Sequence, residues 1–256
     1  MRSTKKYKHK ALKDRRRKIK TVPKPKESKN IIEKSIRGIK LWFKFASEMD
    51  RGRARRAADS ETENIDWLDT ITKNDVFYDV GPSIGHYSMY AAKKYKCRTF
   101  AFEPNILTFV TLNTNIAMNE LDTVAYNVAI DSKLSLDTFY YRSFESSTAL
   151  HSFTERSIGL VEKWDPVITT GCVGVSIDQL WEKFRLPFPT YIKIDTDGNE
   201  FKVLKGMQKT MRDPRFKTMI IEEDYRFMDK FEFKRLTKPL VRVADKSTKT
   251  NSVYIK

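Results

Sequence analysis

Val76-Phe77-Tyr78-Asp79-Val80-Gly81-Pro82-Ser83-Ile84-Gly85-His86 reads as a short apolar strand running into a glycine-bearing turn and then a helix. Glycines at such a turn let the backbone come close to a ligand at the carboxyl end of the strand. The spacing through Asp79, Gly81 and Gly85 is D-x-G-x-x-x-G. A dinucleotide-binding turn requires G-x-G-x-x-G, with backbone N–H groups and a helix N-terminus facing a pyrophosphate. Gly81 and Gly85 do not fit that spacing, and Asp79 would repel the phosphates.

Working outward, apolar strands alternate with amphipathic helices. Ile84–Lys94 reads as a helix, Arg98–Phe102 as a strand, Ile106–Met118 as a helix and Val124–Ile130 as a strand. Tyr191–Ile194, Thr218–Ile221 and a terminal hairpin, Leu240–Val243 with Ser252–Ile255, supply further strands, and Glu200–Met211 is helical. Strands separated by helices of this length indicate right-handed crossovers and a mostly parallel sheet. The stretch 131–176 breaks the rhythm and is expected to be an insertion without a clear helix. Glu103 closes the second strand, about where an acidic residue meets ribose hydroxyls in Rossmann-like folds. Asn127 to Ile130 end the third, where an adenine ring would lie against apolar side chains. An acidic residue at the position of Asp79 suits the ammonium of a methionine moiety, so the expected cofactor is S-adenosylmethionine. Its site residues are then Asp79, Gly81, Gly85, Glu103, Asn127 and Asp195.

The second chemical patch is Tyr191 to Gly206, where a strand delivers Asp195 and Asp197 to the same edge and Gly198 turns the chain into a helix. The D-x-D-G in it misses calcium-loop spacing, because the glycine and the glutamate come too early. No metal ligands are assigned. An alcohol acceptor needs its proton removed by a carboxylate, His or Tyr within hydrogen-bond reach. Asp195 is the first candidate and His151, in the insertion, the second; His86 and Tyr87 follow. Asp197 and Asn199 are equally suited to capping the next helix.

Together the two patches resemble the FkbM-type methyltransferase family. Asp79–Ser88 is similar to its first motif, Phe102-Glu103-Pro104 to its second, and Ile192–Gly206 to its fourth-strand motif, with Lys193, Asp195, Gly198, Glu200 and Gly206 in step. Val175–Leu180 resembles the segment before that strand, and Glu222 the acidic end of the fifth. Pro82 and Asp197 depart from the pattern, the first removing a backbone N–H. The resemblance spans about residues 68–225. It implies a class I methyltransferase Rossmann-like sandwich, a seven-stranded mostly parallel sheet with a C-terminal β-hairpin. It also implies S-adenosylmethionine-dependent O-methylation of a sugar, glycan or small polar metabolite.

Charge separates the N-terminus from the rest. Residues 1–56 hold 22 Lys and Arg against 5 Asp and Glu, whereas residues 57–256 hold 27 against 28. Residues 1–28 are too poor in apolar side chains to offset ordering entropy and are expected to be disordered. Ile32, Ile36, Ile39 and Phe43 recur at helical spacing, predicting a basic amphipathic helix over 29–56. The methyltransferase domain is then 57–256. The basic segment 1–56 suits an anionic membrane surface or a nucleic acid. Two alternatives follow: a nucleic-acid methyltransferase, or a non-catalytic adaptor of the same fold at membranes. Against the first, the body is near-neutral and no N/D-P-P-Y/F/W motif is present. No apolar run spans a bilayer and no signal-peptide stretch follows the basic start, so a cytoplasmic protein, at most peripheral at the membrane, is expected. Cys97 and Cys172 are read as reduced core residues.

Overall fold

The computed structural model describes residues 29–57, 59, 61–155, 164–223, 229–243 and 251–256. The predicted disordered tail, 1–28, lies outside the described residues. The next segment is not a helix. β1 (Ile31–Ile36) and β2 (Ile39–Lys44) pair antiparallel, with Ile36 opposite Ile39. Arg37 (φ 46°) and Gly38 (φ 82°) close the turn with both φ positive, which a two-residue hairpin demands and a helix forbids. Leu41 and Phe43, two residues apart, are buried together while Lys40 and Lys44 stay outside, a strand period that the helical reading passed over. Helix α4 (Ile106–Met118) and the residue after it complete the edge. Asn115 Oδ1 accepts from Lys44 N at 2.7 Å, and Asn119 both accepts from Trp42 N at 3.0 Å and donates to Trp42 O at 2.7 Å. Only the end of the segment is helical: α1 (Glu48–Arg56), capped by Ser47, whose side chain accepts from Asp50 N.

α2 (Thr62–Leu68) leads into β3 (Val76–Val80), α3 (His86–Tyr95), β4 (Arg98–Phe102), α4 and β5 (Val124–Tyr126). The predicted third strand breaks at Asn127-Val128. Its second half, β6 (Ala129–Ile130), leaves the main sheet to join β7 (Ser135–Tyr141), β8 (Ser152–Phe153) and β9 (Ile168–Val175) in a four-stranded sheet ordered β6-β9-β7-β8. The described residues of the 131–176 insertion thus supply three strands and no helix. Then come α5 (Ile177–Glu182), β10 (Tyr191–Ile194), α6 (Glu200–Lys205), α7 (Gln208–Arg212) and β11 (Thr218–Glu222). α8 (Lys230–Thr237), β12 (Val241–Val243) and β13 (Asn251–Ile255) close the chain.

The main sheet runs β12-β13-β11-β10-β3-β4-β5, with β13 antiparallel to both neighbours and the other crossovers parallel. This is the expected seven-stranded, mostly parallel α/β sheet with its terminal hairpin. Alternate residues sort to its two faces. Tyr78, Phe102, Ile192, Ile194 and Met219 pack under α5 to α8, whereas Phe77, Ala101, Tyr191 and Ile220 pack under α2, α3, α4 and the β1–β2 hairpin. Strands covered on both sides read as near-continuous apolar runs, which is why these were visible in the sequence. Residues 29–57 therefore belong to the body and are not a separate appendage, since Leu41, Phe43 and Ala54 share a core with Tyr90 and Leu112. Strand order reverses beside β3, between β4 and β10, which opens the crevice where ligands bind in such sheets. Cys97 is buried and Cys172 half-buried, both free. No helix of the described residues is long and apolar enough to cross a membrane.

Candidate active site

The turn after β3 is packed too tightly for side chains. A Cβ on Gly81 (φ 78°) would lie 1.7 Å from the Asp195 carbonyl oxygen, because Asp195 N donates to Val80 O at 3.0 Å and draws the ends of β3 and β10 together. Gly85 (φ 95°) precedes α3, and a Cβ there would meet Leu112 Cδ1 at 2.5 Å. Asp79 is fully buried beneath this turn. Ser88 Oγ donates to its Oδ2 at 2.5 Å, while Oδ1 has no partner. Burial raises its carboxyl above the usual range, against the opposing pull of the Lys193 ammonium.

Above the turn lies a cavity of about 320 Å³ whose walls include Gly81, Ser83, Glu103, His151, Asp195 and Asp197. A second recess of about 140 Å³ shares Gly81, Pro104, Phe139, His151 and Asp197 with it and is floored by Ala129, Ile130 and Phe153. Together they offer one apolar slot opening into a charged chamber, with Glu103 in the chamber wall beside Pro104. Glu103 is 7% exposed and its Oε1 accepts from Asn105 N at 3.0 Å. Burial pushes its carboxyl up to about 8. Asn127 lines neither space: its Nδ2 donates to the carbonyls of Glu103 at 2.8 Å and Pro104 at 3.0 Å, holding the strand end rather than facing a ligand.

Four carboxylates crowd the end of β10. Burial alone would raise Asp195, but Lys193 Nζ, 2.7 Å from Oδ2, outweighs it and holds the group below the usual range. Burial would likewise depress Lys193, yet Asp195 and Asp79 keep its ammonium raised. Asp197 (φ 55°) accepts from Leu150 N at 3.3 Å, and burial with the Asp195 charge raises it. Glu200 accepts from Thr196 N and Oγ1, both at 2.7 Å. Glu222, at the end of β11, is pushed up to about 8 by burial and then by Asp195 and Glu200. Oxygens of Asp195, Asp197 and Glu222 lie within 4.8 Å of one another, a juxtaposition from which the sequence suggested no metal ligands.

The candidate bases separate on hydrogen bonding. His151 Nδ1 accepts from Arg142 N at 3.1 Å, so in the neutral ring the proton sits on Nε2 and is given to Thr148 Oγ1 at 2.8 Å. Both nitrogens are committed, and burial pulls the imidazole down to about 4. Tyr87 donates to Glu61 Oε2 at 2.6 Å and accepts from Asn64 Nδ2 at 3.1 Å, and burial raises its phenol. Burial takes His86 down to about 3, and its Nδ1 has no partner. That leaves Asp195, ionised and in the chamber wall.

The structure thus brings Gly81, Glu103, His151 and Asp195 to one space, with His86 and Tyr87, and sets Asp79 and Gly85 below it. Sequence reasoning missed Arg53 and Arg56, which reach the chamber from α1. It also missed Ser83, Phe139 and Phe153. The signal that would have found the arginines is Arg37-Gly38, a turn dipeptide between two alternating runs, which places α1 on the body.

A family model described as the methyltransferase FkbM domain matches residues 79–242. The hexuronic acid methyltransferase AglP of Haloferax volcanii is 31% identical over 154 residues, covering 58% of this chain and 56% of that protein. The chain thus spans little more than half the length of this curated relative. Among solved structures, the methyltransferase FkbM from Methylobacillus flagellatus KT aligns with a TM-score of 0.44 and 16% identity, over 73% of this chain and 44% of that one. A SAM-dependent methyltransferase from Agrobacterium tumefaciens aligns at 0.48 and 10%, over 90% and 72%.

Proposed function

The chain belongs to the FkbM methyltransferase family, and from that premise we propose that it is an S-adenosylmethionine-dependent O-methyltransferase acting on a hydroxyl of a sugar or glycan. The observation that carries this reading is the apolar slot joined to a charged chamber at the switch point of the sheet, with a buried carboxyl at the mouth of the slot. These residues fit the cofactor. Ala129, Ile130 and Phe153 would hold an adenine ring, Glu103 would accept from ribose hydroxyls, and the side-chain-free Gly81 would let the methionine portion lie along the turn. When bound, the cofactor supplies a methyl group on a sulfonium, already activated for in-line displacement.

The protein's share is then alignment, which can lower a barrier by roughly 7–11 kcal/mol, and disposal of one proton. The acceptor hydroxyl would lie against Asp195, which Lys193 keeps ionised. A carboxylate held below the usual range is a weak base, but the hydroxyl becomes strongly acidic as its oxygen gains the methyl group. Asp195 orients the hydroxyl and takes the proton as transfer completes. Two supports favour a sugar: the polar chamber, and the named activity of the Haloferax relative on a hexuronic acid.

The test is calorimetric titration of S-adenosylhomocysteine into the full chain, followed by labelled-methyl transfer to a sugar panel by wild type and Asp195→Asn. Micromolar binding in both proteins, with transfer reduced by roughly a hundredfold or more in the variant, is expected. Well-folded protein that binds no S-adenosylhomocysteine would overturn the reading.

A further inference from the structure

α1 lies outside the matched family region, yet it forms a wall of the chamber. Its docking is specific. Ser47 Oγ donates to Ser146 O at 2.9 Å, Ser146 Oγ to Asp50 Oδ1 at 2.8 Å, and Arg53 Nε to Ser147 O at 3.1 Å. Arg53 and Arg56 are three residues apart and so share one helix face. A Cβ on Gly52 would lie 3.2 Å from an Arg56 terminal nitrogen, so glycine leaves that side chain room to fold along the helix.

The chamber's other charges are already matched. Lys193 is paired with Asp195, and Glu61 accepts from Tyr87 and Asn64. Burial pushes Glu103 up to about 8, which weakens its claim on a cation at neutral pH. The terminal nitrogens of Arg53 and the whole guanidinium of Arg56 have no hydrogen-bond or ion-pair partner among the described residues. Arg53 pulls on the carboxyls of Asp195, Asp197 and Glu103 from a distance, but neither guanidinium is closed by a direct carboxylate contact among the described residues. Two planar, permanently charged forks with open donors, in the wall of a ligand chamber, match a carboxylate better than a neutral hydroxyl.

We infer that Arg53 and Arg56 form a carboxylate clamp that selects an acidic sugar, a uronic acid residue, as the methyl acceptor. The inference rests on the methyltransferase reading for the word acceptor, but the clamp can be measured without turnover. α1 then acts as the specificity element, holding the acidic group so that a neighbouring hydroxyl meets Asp195.

Methyl β-glucuronide and its neutral counterpart, methyl β-glucoside, would be titrated into the full chain, with and without saturating S-adenosylhomocysteine. Arg53→Gln and Arg56→Gln would be compared with wild type. Expected are tighter binding of the glucuronide than of the glucoside and a loss of that preference by roughly ten- to a hundredfold in the variants. Affinity for S-adenosylhomocysteine should stay unchanged. Equal binding of the two sugars by wild type overturns the clamp while leaving the methyltransferase reading intact. Loss of S-adenosylhomocysteine affinity in the variants also overturns it, by giving the arginines to the cofactor's own carboxylate. Failure of wild type to bind S-adenosylhomocysteine counts against the reaction alone, because the sugar preference is read without it. Should Arg53→Gln unfold, as its loop contact allows, Arg56→Gln on the exposed side carries the same test.

Discussion

Replacing Glu103 with Gln tests the electrostatics of the proposed cofactor site before any acceptor is known. In the folded chain this carboxyl stays protonated up to about pH 8, against 4.5 for an ordinary glutamate, because burial penalises its charged form. Between those values the unfolded chain holds fewer protons at this position than the folded one. Stability must therefore fall as pH rises through the window, and level off above it. At about 1.4 kcal/mol per pH step, the full window amounts to about 5 kcal/mol at most. Glutamine has the same shape and no charge to bury. The variant should match wild type near pH 4.5 and exceed it progressively, by several kcal/mol at pH 8.

The assay is urea denaturation of both proteins at pH 5, 6.5 and 8, reading the difference between them so that other titrating groups cancel. For a domain of this size the gap at pH 8 would also raise the melting temperature by roughly 10 °C. The same variant should bind S-adenosylhomocysteine roughly tenfold more weakly, since ribose hydroxyls donating to Glu103 draw it toward its ionised form, which an amide cannot supply. A stability difference that does not change with pH would refute the reasoning, because it would mean that Glu103 is not held neutral in the fold. Greater stability with weaker binding is the combination expected of a buried group kept for function.

Other substitutions read other parts of the site. Gly81→Ala forces a Cβ to within 1.7 Å of the Asp195 carbonyl at positive φ, and should cost about 3 kcal/mol or more in denaturation experiments. His151→Ala should reduce turnover by loosening the loop it braces, yet leave the shape of the pH–rate profile above pH 5 unchanged, since its imidazole titrates at about 4. Loss of a limb near pH 6–7 in that variant would restore His151 as the base. Gly38→Ala discriminates between hairpin and helix by sign. In a helix alanine stabilises, whereas at φ 82° in the turn it should destabilise by about 1 kcal/mol in thermal melts.

How much of this was legible follows from which physical pattern each segment obeys. β3, β4 and β10 are covered on both faces, so their residues are mostly apolar, broken only by Asp79, by Arg98 and Thr99 at the start of β4, and by Lys193, and their bounds matched the sequence reading. Positions where the backbone itself is constrained were equally plain: no residue but glycine fits at 81, whatever the ligand. The N-terminal hairpin was misread because Ile32, Ile36, Ile39 and Phe43 satisfy a helical period by coincidence. The decisive features, positive φ at Arg37 and Gly38 and the pairing of β2 with Asn115 and Asn119, depend on the turn and on a helix far along the chain.

The same distance explains why the acceptor side was invisible. Glu103 and Asp195 announce themselves by ending strands, and a strand end has a fixed place in a doubly wound sheet. Arg53 and Arg56 sit in a run of basic residues whose composition suggests a solvated or polyanion-binding tail. Nothing local separates the arginines that enter the chamber from Arg51, which pairs with Glu48 at the surface. What separates them is the docking of α1 on Ser146 and Ser147, residues almost a hundred positions away in an insertion with no decodable motif. The geometry of the sheet thus sets where the proposed methyl donor would lie, while the proposed acceptor specificity rests on two excursions, one before the sheet and one within it. A net charge of +16 taken over the whole chain points to nucleic acid or membrane. The same basic residues, once two of them are placed in a chamber wall, point to a single carboxylate.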